Sequence, residues 1–388
     1  MNQLLIQQAG ERREIALLED GHLVSYLADS HREGLSAEDI YLGQVGRVMR
    51  NLAAAFVRLD KDVEGFLPFD QIPGGSQPRP GDALLVQVKK PPQGSKAAFL
   101  TADIMLPGAL VILTPLSPAL RVSKRVPEGE ERQRLLQMAQ ALRPQGMGLI
   151  MREESQGRLA EDIQAELDEL LEIWQQTAQQ ASQRSAPSAI RQAPDQLSRL
   201  LREMRGQPDR VLSNVPEALT AYGVSAQYAG NPLQLHEVQA KLRKALRRKV
   251  YLKSGATLII DPCEAMTVID VNTAQNIAGK DREKALRDTN IEAAQAIARL
   301  LRLRRVGGMV LIDFIDMQQQ ESKALVLQAL KDALARDPVK TAVHGFTSLG
   351  LVELTRKRAE EPLSGAALKA CPACQGRGYV EDDIENDA

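Results

Sequence analysis

The sequence predicts an α/β and α+β chain divided into several small subdomains, and three observations predict it. Between Asp39 and Asp103 apolar residues come in short runs broken by Gly and Pro, the pattern of a compact all-β unit. Between Thr257 and Met317 two strand-like regions flank a helical stretch, and acidic residues stand where each strand gives way to a loop. The chain's 388 residues, 44% of them hydrophobic, are enough for two or three ordinary cores.

Bulk properties exclude some function classes. A formal net charge of −1 offers no global attraction to nucleic acid, so any such binding must come from local basic patches. No run reaches the roughly 18 apolar residues of a membrane span, and MNQLLIQQAGERRE is not a secretory signal, so a cytoplasmic protein is expected. Of three cysteines, Cys371 and Cys374 share one CPAC, which favours metal ligation over a disulfide framework.

In chain order, LLIQQAGERREIALLEDGHLVSYLADS alternates well enough for strands on either side of Asp20-Gly21, a hairpin signal, but is too small for a domain of its own. Five strands follow, IYLGQVGRVM, AAAFVRLD, EGFLPFD, ALLVQVKK and AAFLTADI, the make-up of an OB-fold barrel. Within it Phe56 and Phe66 suit either base stacking or a core. Arg47, Lys89, Lys90 and Lys96 suit phosphate contacts or plain solvation.

GLIMREES reads as a strand, and LAEDIQAELDELLEIWQQTAQQ as a long amphipathic helix with Ile163, Leu167, Leu170, Leu171 and Trp174 on one face. QASQRSAPSAIRQAPD is the best linker candidate, and a helix over DQLSRLLREMR follows it. Leu235, Val238, Leu242 and Leu246 then form a helical stripe, with Lys241, Arg243, Lys244, Arg247 and Arg248 around it as solvated or RNA-facing charge. His236 reads as structural. The helix over 283–305 ends in RLLRLRRVGG, where arginines complement the helix dipole before a Gly cap, so none of them is a catalytic candidate.

The richest stretch is TLIIDPCEAMTVIDVN, a hairpin whose second strand ends in Asp270 and Asn272. Side chains alternate along a strand, so these two share a face. GGMVLIDFIDM is an apolar run suited to a buried strand, which could set Asp313 beside them, with Asp316 just beyond. Two carboxylates and an amide oxygen suit Mg²⁺ or Mn²⁺. Acids that cap helices or sit in turns are the alternative. Near the end, CPACQGRG is the usual knuckle for half a tetrahedral zinc site. Only one such pair exists and Cys263 lies far away, so four thiolates would require two chains. A redox pair is the other reading, without a thioredoxin-like βαβ context to support it.

MTVIDVNTA, TNIEAAQAIARLLRLR, GGMVLIDFIDM, GLVELTRKR and CPACQGRG, in this order, resemble the ribonuclease E/G family of bacterial endoribonucleases, with weaker similarity from about Leu4 to Val380. The resemblance implies a catalytic magnesium held by Asp270, Asp313 and Asn272, with Asp316 and Glu264 as supporting candidates. It implies hydrolysis of single-stranded RNA to 5′-phosphate and 3′-hydroxyl ends, in RNA processing and decay. It also implies a discontinuous RNase H-like subdomain (1–36 and 205–254) that houses an OB-fold RNA-binding domain (37–106) and a 5′-sensing region (107–204). A DNase I-like catalytic subdomain (255–366), a zinc-link (367–380) and an acidic tail (381–388) would complete it, Cys371 and Cys374 sharing one Zn²⁺ between two subunits of a homodimer. Because the chain stops soon after that motif, a dimer is the expected limit. RNA-facing residues would be Phe56, Phe66, Lys96, Arg152 and Lys340.

Three departures from the family pattern stand out: Leu42-Gly43-Gln44 replaces Lys-Gly-Arg, Arg152-Glu153 replaces the phosphate-gripping Arg-Thr, and Lys340 stands where an arginine can be supplied. Glu153 is expected to repel a terminal phosphate and to pair with Arg152. A non-catalytic single-stranded RNA-binding dimer is the alternative function, against which the intact acid triad argues; a DNA nuclease is a third.

Overall fold

The computed structural model describes residues 1–29, 34–61, 63–92, 96–204, 208–273 and 282–358, with the single positions 362, 363 and 372. Two compact units divide the chain, Met1–Ser30 with Pro208–Ala388, and His31–Gln207.

The chain begins as an antiparallel meander of β1 (Asn2–Ala9), β2 (Arg12–Glu19) and β3 (His22–Asp29). The expected hairpin at Asp20-Gly21 forms, both residues taking positive φ.

In the second unit, β4 (Ile40–Met49), β5 (Ala54–Asp60), β6 (Val63–Pro68), β7 (Ala83–Lys90) and β8 (Ala98–Thr101) close a barrel in the order β4-β5-β6-β8-β7 and back to β4. Only β6 and β8 run parallel, the OB-like arrangement. Val45, Val57, Leu59, Leu67, Val86, Val88 and Leu100 fill its interior. Gly43 is forced by packing: a Cβ there would lie 2.4 Å from Val57 Cγ1. Its neighbour Leu42 packs against the adjoining core.

That adjoining core lies on a sheet of β9 (Leu106–Pro107), β10 (Val111–Thr114), β11 (Leu120–Val122) and β12 (Gly148–Met151), packed against α1 (Glu130–Leu142) and α2 (Ala160–Gln183). From α2, Ile163, Leu167 and Leu170 are buried, with Leu171 and Trp174 partly so, as the amphipathic pattern predicts. The expected linker is instead ordered: β13 (Ser188–Arg191) pairs antiparallel with β4, and the Ala193 amide donates to Asp39 Oδ1 at 2.8 Å. Polar composition suggests a loop, but a free edge of β4 supplies backbone partners that composition cannot foretell. Asp195 then caps α3 (Gln196–Glu203), accepting from the Ser198 amide.

In the first unit, β14 (Arg210–Ser213) lies parallel to β1 and β15 (Gln227–Tyr228) parallel to β14, giving the sheet order β15-β14-β1-β2-β3. The helical stripe from Leu235 is broken into α4 (Pro232–Leu235) and α5 (Val238–Leu246). Glu237 takes a left-handed φ of 52°, so Val238 and Leu242 are buried while Leu235 is 71% exposed.

The remaining sheet runs β16-β17-β18-β19-β21-β20, from β16 (Lys249–Tyr251), β17 (Thr257–Pro262), β18 (Met266–Asn272), β19 (Gly308–Asp313), β20 (Thr341–Phe346) and β21 (Val352–Arg356). Between β18 and β19 the chain crosses over through α6 (Arg282–Leu303), and α7 (Gln320–Leu334) follows β19. Leu258, Ile260, Ile269, Val271, Val310, Ile312, Val352 and Leu354 point to one face, where Ala293, Ile297, Leu301, Val326 and Leu330 of the two helices cover them. Alternate residues face the other way. Arg305, with φ 57°, makes the left-handed exit from α6 in place of the expected glycine. It donates to the Tyr26 carbonyl, Arg304 to the carbonyls of Ala245 and Arg247, and Arg302 to Glu19. Burial pushes the Arg304 guanidinium down to about 10. Among the described residues no helix is long and apolar enough to cross a membrane.

Candidate active site

The TLIIDPCEAMTVIDVN hairpin forms as β17 and β18, with Thr267, Ile269 and Val271 turned into the core. Asp270 and Asn272 therefore project together from the opposite face. β19 lies parallel to β18 in a register that sets Asp313 directly opposite Asp270. Both carboxylates thus stand at the C-terminal ends of neighbouring parallel strands, where open α/β sheets place ligands. Asn272 Nδ2 donates to Asp270 Oδ2 at 2.6 Å, which leaves its amide oxygen as the atom able to ligate. Partial burial, with the charges of Asp270 and Asp316 nearby, raises the Asp313 carboxyl above the usual carboxylate range.

One helix holds the loops around these acids. Asn290 of α6, fully buried, donates to the Ile315 carbonyl at 2.8 Å and accepts from the Ile315 amide at 3.1 Å, fixing the backbone between Asp313 and Asp316. Glu283 accepts from the amides of Gln318 and Gln319 at the start of α7, bonds that draw its carboxyl below the usual range. Glu292 accepts from the amides of Lys253 and Ser254 in the β16–β17 turn, at 2.7 and 3.2 Å. Asn290 was not singled out from sequence, although an amide at 290 in an apolar stripe with Ala293, Ala294, Ile297 and Leu301 is a visible signal.

Glu264 is not part of this group. It sits in the hairpin turn at the opposite end of β18, six residues from Asp270 or roughly 20 Å of strand. Cys263 shares that turn and is a free, exposed thiol. Among the described residues no three His, Cys, Asp or Glu side chains form a metal-holding group. The donor set at the strand ends is two hard carboxylates and an amide oxygen, and the repulsion that adds to burial in raising Asp313 is what a divalent cation relieves. The residues present therefore fit such an ion.

On the barrel, Phe56 and Phe66 are half-buried cross-strand partners outside its core, their ring centroids 5.6 Å apart. Phe99 extends the row at 6.3 Å from Phe66, a third ring the sequence reading passed over. Arg47 lies over Phe56 at 4.9 Å and Lys90 over Phe99 at 5.9 Å. Lys96 is exposed, whereas the Lys89 ammonium donates to Gln71. Arg152 follows β12, donates to the Gly108 carbonyl and lies 3.7 Å from Glu154. Glu153 faces Arg125 at 3.7 Å, and Glu154 is an acid beside Arg152 that the sequence did not point to. The adjoining amides of Ala109, Leu110 and Val111 are taken by the Glu166 carboxylate. Lys340 is exposed in the other unit, before β20. Cys371 and Cys374 lie outside the described residues.

Comparison with known proteins converges on one group. The family model of the ribonuclease E/G family matches residues 105–359. Ribonuclease G of Salmonella typhimurium is 33% identical over 98% of this chain and 84% of its own length, and ribonuclease G of Escherichia coli K12 matches to the same extent. Ribonuclease E of a Nostoc species is 34% identical over 88% of this chain and 54% of its own length.

Proposed function

This chain belongs to the ribonuclease E/G family and is an endoribonuclease, and from that premise we propose that it hydrolyses single-stranded RNA with magnesium at Asp270, Asp313 and Asn272. The observation that carries this reading is the register of β18 and β19, which pairs the two aspartates at adjacent strand ends. When bound there, the metal lowers the pKa of a water and offsets charge on the phosphoryl oxygens. Asp270 and Asp313 supply the anionic oxygens of the site, and Asn272 holds Asp270 in place through its Oδ2. In the reaction water's oxygen bonds to phosphorus and the bond from phosphorus to the 3′-oxygen breaks, leaving a 3′-hydroxyl upstream and a 5′-phosphate downstream. Phe56, Phe66 and Phe99 form the surface on which unpaired bases stack, with Arg47, Lys90 and Lys96 toward the phosphates.

The finer division belongs to the same proposal: an RNase H-like part from the sheet that unites β1–β3 with β14 and β15, and a DNase I-like part from β16–β21. Homodimerisation through zinc shared at Cys371 and Cys374 completes it. The test is incubation of the full chain with a 5′-labelled single-stranded RNA, with Mg²⁺ and with chelator. Magnesium-dependent internal cuts ending in 3′-hydroxyl are expected; binding without cleavage, or cuts that persist in chelator, would refute it.

The surroundings of Arg152 point to weak reading of the 5′ end. Its fork is shared between the Gly108 carbonyl and Glu154, and the neighbouring amides are filled by Glu166. Single-turnover cleavage of one RNA with 5′-monophosphate or 5′-hydroxyl should give a rate ratio near one. A charge-assisted hydrogen bond to that phosphate would be worth about 1.5–3 kcal/mol, roughly 10- to 100-fold. A ratio above about tenfold, undiminished by Arg152→Ala, would mean that the phosphate is read elsewhere.

A further inference from the structure

We propose that Tyr251 is a stacking platform for a base of the RNA being cut, one or two nucleotides from the phosphate at Asp270 and Asp313, with Lys249 as its cationic neighbour. The inference rests on the reading of those aspartates as the catalytic centre and adds a substrate subsite to it.

β16 is an edge strand whose middle residue, Val250, packs into the core beneath the sheet. Lys249 and Tyr251 therefore face the opposite side, the side of the aspartates. Register places them closely. Lys249 pairs with Ile259, Ile259 with Asp270 and Asp270 with Asp313, so the lysine and both acids stand in one row across four strands. Tyr251 pairs with Thr257, and Thr257 with Asn272, so the ring begins the next row, two strands from Asn272. Two interstrand spacings amount to about 10 Å, within reach of a short piece of extended single strand.

The fold gives Tyr251 little reason to be aromatic. It is 69% exposed, and among the described residues its hydroxyl has no hydrogen-bond partner. Its ring contact is the Lys249 ammonium, 5.3 Å from the centroid. Meanwhile the turn that follows it is pinned by Glu292 of α6, which keeps the edge in place relative to the acids. An exposed ring on a fixed edge, continuous with a phosphodiester-cleaving site, is suited to a nucleobase: every base has a face to stack, so the contact tolerates any sequence. Charge supports the same occupant. Neighbouring Arg248 is neutralised by Asp261 at 2.7 Å, while Lys249 forms no ion pair among the described residues and can offset the repulsion of the acids for a polyanion.

The experiment uses a short single-stranded RNA with one cleavage site and a matching series in which single flanking nucleotides are abasic. Single-turnover rates are compared for the full chain and for Tyr251→Ala, Tyr251→Phe and Tyr251→Trp. The wild type should slow about tenfold when one particular flanking base is removed, the scale of a single stacked base. Tyr251→Ala should slow to the same extent on intact RNA and lose nothing more on that abasic substrate, while the phenylalanine and tryptophan variants keep both the rate and the penalty. Tyr251→Ala cutting intact RNA at the wild-type rate, or keeping the wild-type abasic penalty, would overturn the subsite and leave the catalytic reading standing. A wild type that cuts no RNA would overturn both. A loss in Tyr251→Ala that comes with a changed sedimentation coefficient would identify the ring as a protein contact and would also overturn it.

Discussion

Replacing Asp270 or Asp313 by asparagine is expected to lower RNA cleavage by about a hundred- to a thousandfold, the scale of losing one group that stabilises developing charge. Asp270→Asn preserves shape and can still accept from Asn272, so the loss reports charge and ligation rather than packing. Stability should move the other way. The Asp313 carboxyl is raised by burial and by the charges of Asp270 and Asp316. A carboxyl whose folded pKa exceeds its unfolded value favours the fold in acid, and that advantage disappears as pH rises through the folded pKa. At neutral pH the ionised pair therefore weighs against the fold. Without metal, Asp270→Asn should melt at the wild-type temperature or above it, with a gain that grows as pH rises through the Asp313 titration. Melting curves in chelator at acidic and neutral pH, beside cleavage rates in Mg²⁺, provide the check. Wild-type activity in either variant would sink the assignment of these residues.

The double substitution Phe56→Ala with Phe66→Ala should weaken single-stranded RNA binding by about 2–6 kcal/mol, two stacked bases at roughly 1–3 kcal/mol each. The reading of both rings as core residues is disfavoured by their position. Val57 and Leu67, their sequence neighbours, turn into the barrel, while the phenylalanines lie on the other face beside Phe99. The variant should therefore fold, with a modest loss of stability from the ring pair. Fluorescence anisotropy with a labelled oligonucleotide and a melting curve separate the two effects. A folded double variant of unchanged affinity would remove the stacking role, and an unfolded one would restore the core reading. Phe99→Ala should add to the loss if all three rings act as one surface.

Local pattern carried much of the architecture. The five barrel strands, the β17–β18 hairpin and the apolar face of α2 could be read because each is a periodicity within its own segment: two residues for a strand, 3.6 for a helix. The same rule put Asp270 and Asn272 on one face before any fold was known. Local pattern also misled where distant partners intervened. QASQRSAPSAIRQAPD has the composition of a linker, yet the open edge of β4 recruits part of it as β13. The stripe that begins at Leu235 reads as one helix, yet the chain turns left-handed at Glu237 and leaves Leu235 exposed.

What the sequence by itself determined, then, was the barrel strands, the β17–β18 hairpin and the apolar face of α2, the shared face of Asp270 and Asn272, and, through its motifs, the family. Only the tertiary structure decided which residues from separate segments meet. Asp313 reaches Asp270 because α6 returns the chain to lie parallel with β18, and the register that buries Val310 and Ile312 beside Ile269 and Val271 also aligns the acids. The registers of β16 on β17 and of β17 on β18 likewise bring Lys249 and Tyr251 into line with the site. The physical reason is that a strand's own alternation is a property of its covalent geometry, whereas its register against a neighbour is chosen by the burial of every apolar side chain on that face at once.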